Sequence, residues 1–149
     1  MAASKHAKYI ITELDKRHTD PEAVARYAKT GRRILWLDDA VLPGAFQMNC
    51  SWYLHANPTG PGAHYHDVPE IIGFFSSDPE HPNDLGAEIE FWLEDEKFML
   101  TKSCMIFVPK NMIHCPLILR RVDRPIFHFT TVTAGKYEVK GMKPPAAKK

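Results

Sequence analysis

The sequence lacks a long apolar run and an excess of charge of either sign. No stretch of about 18 apolar residues occurs, and residues 1–8 contain no apolar core of a signal peptide, so we expect neither a membrane span nor secretion. The 19 basic and 18 acidic residues give a formal charge of +1, which offers no electrostatic reason for binding nucleic acid or an anionic membrane. We therefore expect a small-molecule ligand.

Cysteine is scarce, with Cys50, Cys104 and Cys115 widely spaced along the chain. An odd, dispersed set resembles neither a disulfide framework nor a paired Cys-x-x-Cys zinc site, and a reducing cytoplasm is the expected compartment. Cys115 adjoins His114, but neighbours in a strand face opposite sides of a sheet. We therefore expect the thiol not to share a metal ion with that histidine.

Long amphipathic helices are also missing, and the 149 residues, 44% of them hydrophobic, match the size of one domain with a core. Residues 1–30 are predicted to form an appendage with one short helix, because Asp20 is a suitable N-cap, Pro21 fits the first helical position and Gly31 ends the pattern. Residues 139–149 are rich in lysine and proline and are predicted to be a flexible tail.

Residues 31–138 are predicted to form a single all-β domain. Short β-prone runs separated by turn residues are typical of a sandwich or barrel, because no helix is available to cover a parallel sheet. The runs are 34–37, 45–55, 71–75, 87–93, 104–108 and 125–132.

The chemistry of the chain is concentrated in His64, His66, Glu70 and His114. In an extended strand, residues two apart face the same side, so His64 and His66 converge, and Glu70 keeps that facing if the chain stays extended to it. Two imidazoles and a carboxylate on one wall are typical of an open metal site such as that of non-haem iron oxygenases, although manganese, nickel, cobalt, copper and zinc also accept these donors. His114 is placed to close the site from a neighbouring strand.

The same residues resemble the two motifs of the cupin superfamily, a His-x-His-x3,4-Glu segment and a later Pro-x-Gly-x2-His segment. Here the second motif is Pro109-Lys-Asn-Met-Ile-His114, with Asn111 in place of the turn glycine; asparagine tolerates a left-handed turn. The resemblance implies a jelly-roll β-barrel in which His64, His66, Glu70 and His114 bind one divalent transition metal. Iron is the favoured ion, and Glu70 has an alternative role in orienting a ligand histidine.

The resemblance implies a mononuclear metal-dependent enzyme acting on a small oxygenated substrate, with a dioxygenase-type oxidoreductase favoured. The alternatives are an oxygen-independent lyase, decarboxylase, isomerase or carbon-carbon hydrolase, and a non-catalytic small-molecule-binding protein. His128 and Glu90 are the candidate catalytic acids or bases. A homodimer is expected from the resemblance and from the need to protect edge strands.

Overall fold

The computed structural model describes residues 4–141, and the remainder of the predicted tail, 142–149, lies outside the described residues. One α-helix, α1 (Pro21–Ala28), precedes eight strands. The strands are β1 (Gly31–Leu37), β2 (Met48–Tyr53), β3 (Glu70–Ser76), β4 (Asp84–Leu93), β5 (Glu96–Lys102), β6 (Cys104–Val108), β7 (His114–Val122) and β8 (Ile126–Val132). None of the helices within residues 4–141 has the length and apolar character needed to cross a bilayer.

Helix α1 begins as the sequence predicts. The side chain of Asp20 accepts a hydrogen bond from the Ala23 amide, and Pro21 stands at the start of the helix, where a missing N–H group costs nothing. The helix ends at Ala28, so Gly31 is the first residue of β1 and not a helical cap.

The strands form two antiparallel sheets. The first has the order β1-β2-β8-β3-β6 and the second the order β5-β4-β7. Alternate residues of these strands point into the space between the sheets, where they form the hydrophobic core. Its largest fully buried apolar side chains are Phe74, Phe91, Leu85, Ile89 and Ile126.

The residues predicted to be an appendage pack against the barrel. Arg17 donates two hydrogen bonds to Asp38, the ring of His18 lies 4.3 Å from that of Trp36, and Tyr27 packs against the core cluster. The N-terminal segment therefore packs against β1 and Asp38 just after it, and His18 is not the plain surface residue that its sequence context indicates.

Candidate metal centre

Three chain segments bring His64, His66, Glu70 and His114 together. His64 and His114 form an antiparallel bridge in which each backbone amide donates to the other's carbonyl, at 3.0 and 2.9 Å. The ring centroid of His114 lies 4.4 Å from that of His64 and 5.2 Å from that of His66. Glu70, the first residue of β3, places Oε2 3.2 Å from His66 Nε2 and 2.9 Å from His114 Nε2. All four side chains are buried.

The second nitrogen of each ring fixes its tautomer. Nδ1 lies 2.7 Å from the Gly62 carbonyl oxygen in His64, 2.7 Å from that of Glu138 in His66, and 3.1 Å from that of Met112 in His114. A carbonyl oxygen only accepts, so each Nδ1 carries the hydrogen and donates it. In the neutral rings the lone pair is therefore on Nε2, and the Nε2 atoms of His66 and His114 face Glu70.

Within residues 4–141, no donor forms a hydrogen bond with the Nε2 atoms of the cluster or with Glu70 Oε2. The Nε2 atoms of the three histidines and Oε2 of Glu70 are buried and without a hydrogen-bond partner within residues 4–141. Buried lone pairs that face one another are unfavourable unless a cation or protons lie between them. Imidazole nitrogen and carboxylate oxygen suit a divalent transition metal, so the donor set fits such an ion.

The pKa values favour the donor forms of Glu70 and His64. Burial opposes ionisation of Glu70, but contacts with His114 and His66 outweigh it and hold the carboxyl pKa at about 2. Burial lowers the pKa of His64. Burial also disfavours the charged form of His66, but its contacts with Glu70 and the Glu138 carbonyl prevail and raise its pKa. At neutral pH Glu70 is therefore an anion and His64 a neutral ring.

The route by which Glu70 reaches the cluster differs from the prediction. The chain does not remain extended from His66 to Glu70, because Asp67 and Val68 form a bend before β3 begins. The strand-parity argument for Glu70 is therefore wrong, although the carboxylate does lie among the histidines. Asn111 adopts the left-handed conformation expected of it, with φ of 65°, and its amide donates to the His66 carbonyl at 2.7 Å.

Solved structures share this architecture. An oxalate oxidase in complex with glycolate superimposes with a TM-score of 0.52 at 11% sequence identity, over 87% of this chain and 60% of the oxidase chain. A cupin 2 domain-containing protein from Halorhodospira halophila gives a TM-score of 0.51 at 14% identity, over 80% of this chain and 72% of that one. This chain has the cupin fold. No protein-family model and no curated protein sequence matches it.

The predicted jelly-roll β-barrel is thus confirmed at the level of the fold. The chain spans less than two thirds of the oxalate oxidase.

The barrel holds a cavity of about 270 Å³ beside the histidine cluster, called here the inner cavity. Its wall includes His64, Glu70, His114, Ile72, His128 and Tyr137. It adjoins an outer space of about 1120 Å³ beneath α1. His18 and Tyr27 of the N-terminal segment border both. Pockets for drug-sized ligands span about 300–1,000 Å³, so the inner cavity suits a small molecule.

Cys115 also faces this region, contrary to the sequence prediction. Its sulfur lies within 4.8 Å of donor nitrogens of His64 and His114. The reason is a β-bulge: Phe91 pairs with Leu117 but Leu93 pairs with His114, so β7 has one extra residue there, and Cys115 takes a φ of 70°. Burial raises the pKa of the thiol to about 12, so it is protonated at neutral pH.

The two candidate catalytic residues lie in different places. His128 borders the inner cavity with its ring stacked 4.4 Å from Tyr53 and 4.9 Å from Phe74, and burial lowers its pKa to about 4. Glu90 is not brought to the cluster. Its neighbours along β4, Ile89 and Phe91, belong to the core, whereas Glu90 itself accepts two hydrogen bonds from Arg120 and one from Trp92.

The C-terminal segment supplies residues that the sequence did not reveal. The Tyr137 ring lies 4.7 Å from that of His66, and its hydroxyl lies 3.3 Å from Glu70 Oε1. Lys140, within the predicted tail, pairs with Tyr65 through a 2.9 Å backbone hydrogen bond. These residues follow the last β-prone run, and neither periodicity nor a ligand motif marks them.

Proposed function

We propose that the protein is a mononuclear metal-dependent enzyme in which His64, His66, Glu70 and His114 hold one divalent transition metal, with iron favoured. The observation that carries the proposal is the set of buried lone pairs of the three histidines and Glu70, which meet without a donor. Their second nitrogens are already committed to backbone carbonyls, as is common for metal-ligating histidines.

The substrate is a small oxygenated molecule bound in the inner cavity. When bound, the ion supplies Lewis acidity and an open coordination position for a substrate oxygen or for dioxygen. The chain supplies the rest: Ile72 and Leu117 give an apolar wall that excludes water, while Tyr137 and Thr130 present hydroxyl groups.

A dioxygenase-type oxidoreductase is favoured because neither candidate base, His128 or Glu90, is suited to that role where the structure places it. An oxygen-independent lyase or isomerase acting on an enolisable substrate needs a group whose pKa lies near the working pH. The pKa of His128 is about 4, and Glu90 is paired with Arg120 elsewhere in the barrel. Burial raises the pKa of Tyr137 well above that of an ordinary phenol, so it is a proton donor and not a base.

Metal analysis tests the centre directly. We expect about one transition-metal ion per chain after purification or metal loading, and loss of that ion in a His66→Ala, His114→Ala double variant. The matched control is His81→Ala, since this histidine is 68% exposed and its ring pairs with Asp78, away from the cluster. Unchanged metal content in the double variant would refute the metal centre.

Oxygen dependence tests the reaction class. We expect turnover of a panel of diketones and hydroxy acids to consume dioxygen and to stop under anaerobic conditions. Turnover that persists without oxygen would replace the dioxygenase with a lyase or hydrolase. A metal-replete protein that turns over none of the panel, but is stabilised thermally by one compound, would be a binding protein.

A homodimer belongs to the same proposal and is supported by the outer face of the five-stranded sheet. Strand register aligns Trp52, Phe127 and Phe75 in one row and Ile71 with Phe107 in another. Phe107 and Met105 are 63% and 71% exposed. An apolar sheet face of this kind marks an interaction surface, and a two-fold axis lets one face cover its own copy.

Solution scattering tests the dimer. We expect twice the chain mass for the natural protein and a single chain mass for a Met105→Glu, Phe107→Glu variant. The control is Met99→Glu, because Met99 is 46% exposed but lies on β5 of the other sheet. A single chain mass for the natural protein would refute the dimer.

A further inference from the structure

Arg33 is a cation at the inner cavity, and no acid among residues 4–141 forms an ion pair with it. It lies on β1 and borders the same cavity as Glu70 and His114. Its neighbour Arg32 is exposed and pairs with Trp52 across β1 and β2. Arg33 is half-buried and pairs with Ser51, whose side chain is fully buried. No ion pair joins Arg33 to an acid within residues 4–141. A half-buried guanidinium without a counter-charge is costly unless a ligand supplies one.

The contacts of Arg33 use its faces and leave its edge free. The guanidinium carbon lies 4.5 Å from the ring centroid of Tyr27 and 5.1 Å from that of Trp36. These stacking contacts fix the plane of the group but do not use its N–H donors. Of its five N–H groups, one on Nη1 makes a long 3.4 Å hydrogen bond to Asn49 Oδ1, and no other hydrogen bond from the group is found within residues 4–141.

The acids near this wall are committed to other groups. Asp38, which accepts a hydrogen bond from the Trp36 indole, also accepts two from Arg17 and two from backbone amides. Glu70 lies between His66 and His114. The positive charge of Arg33 is therefore not neutralised by the fold.

Beside Arg33, the wall of the inner cavity carries two further polar side chains, those of Asn49 and Thr130. Asn49 Nδ2 donates to Thr130 Oγ1 at 2.7 Å, and both side chains border the cavity. Because the Asn49 amide is held by Thr130, its oxygen is fixed for the contact with Arg33. The guanidinium is thus oriented on three sides, by Tyr27, Trp36 and Asn49.

From this geometry we infer that the substrate carries a carboxylate that binds the free edge of Arg33. A guanidinium edge matches a planar carboxylate through two parallel N–H···O bonds. The inference rests on the proposed function: the second oxygen function of the same small molecule faces the histidine cluster. The substrate class is therefore a small hydroxy or oxo carboxylic acid.

Binding titrations with defined probes test the inference. The probes are glycolate, 3-hydroxypropionate and 4-hydroxybutyrate, each compared with its neutral amide, measured by calorimetry on metal-loaded and on metal-free protein. We expect at least one carboxylate to bind about 10- to 100-fold more tightly than its amide, the difference that a charge-assisted pair gives. Arg33→Gln removes this preference, and Arg33→Lys keeps part of it.

The control variant is Arg32→Gln, which removes the same charge from the exposed face of the same strand and should leave the preference unchanged. The inference is overturned if the natural protein binds amide and carboxylate equally, or none of the carboxylates, or if Arg33→Gln keeps the preference. Arg33 keeps its charge without a metal, so a carboxylate preference in protein that binds no metal would sink the proposed function and leave this inference standing.

Discussion

Replacing Asp38 with asparagine should measure how strongly the N-terminal segment is tied to the barrel. The Asp38 side chain is 6% exposed. Burial works against its ionisation, but the bonds from Arg17 and Trp36 prevail and lower its pKa from 3.8 to about 2. That difference corresponds to about 2 kcal/mol in favour of the charged form in the folded protein. Arg17 is 49% exposed, so solvent screening reduces the expected loss to about 1–2 kcal/mol.

Thermal unfolding at pH 7 should show this loss as a fall in Tm of about 2–8 °C, given about 2–4 °C per kcal/mol for a chain of this size. The control is Asp123→Asn. Asp123 pairs with Arg121, but both side chains are 53% exposed, so its removal should cost less than about 0.5 kcal/mol.

The contribution of Asp38 to stability should depend on pH in a definite direction. Because the folded pKa of Asp38 is depressed, its contribution is complete above pH 3.8 and disappears as the pH falls through about 2. The free energy of unfolding, measured in urea, should differ less between the natural protein and Asp38→Asn at pH 3 than at pH 7. We expect that difference to fall by about half. A difference no larger than that of Asp123→Asn, or one that does not shrink in acid, would refute the reasoning.

Three further changes have definite expected outcomes. Gly60→Ala should abolish folding or cost several kcal/mol (~3 or more) in urea unfolding, because a Cβ atom there collides with the backbone carbonyl of Leu117, which cannot move aside. Asn111→Ala should lower the free energy of unfolding by about 1 kcal/mol in the same assay and Asn111→Gly should not, because φ of residue 111 is 65° and alanine tolerates this left-handed conformation less well. Equal losses for the two variants would show that the backbone conformation is not the cause. Tyr137→Phe should lower metal affinity about tenfold in a chelator competition while leaving one ion bound at saturation, because the hydroxyl on Glu70 is lost but the ring remains. An unchanged affinity would show that the hydroxyl does not tune the site.

The sequence predicts the strands with strong apolar patterns and misses those without them. Runs 104–108 and 125–132 coincide with β6 and β8 almost residue for residue. β5 is not among the predicted β-prone runs because it is an edge strand whose seven residues are all exposed or half-buried, so it has no buried face to produce alternation. β7 was missed because its bulge at Cys115 breaks the period and Arg120 and Arg121 follow.

The residues of the candidate site also divide into those that the sequence predicts and those that it does not. The facing of His64 and His66 follows from local strand geometry, and His114 from the second motif. Cys115, Tyr137 and Arg33 join the cavity through a bulge, a returning C-terminal segment and a neighbouring strand. Each of these depends on which segments meet in space, and a pattern read along the chain does not contain that information.

The bond from His66 to the Glu138 carbonyl has a consequence for how the site is made. His66, His114 and Glu138 stand 48 and 24 residues apart along the chain, and Nδ1 of His66 has its partner only once the Glu138 segment has returned to the site. During synthesis the histidine pair emerges long before the carbonyl that orients it. A nascent chain therefore lacks the carbonyl that orients His66, and under the proposed function the ion would bind after the chain is complete.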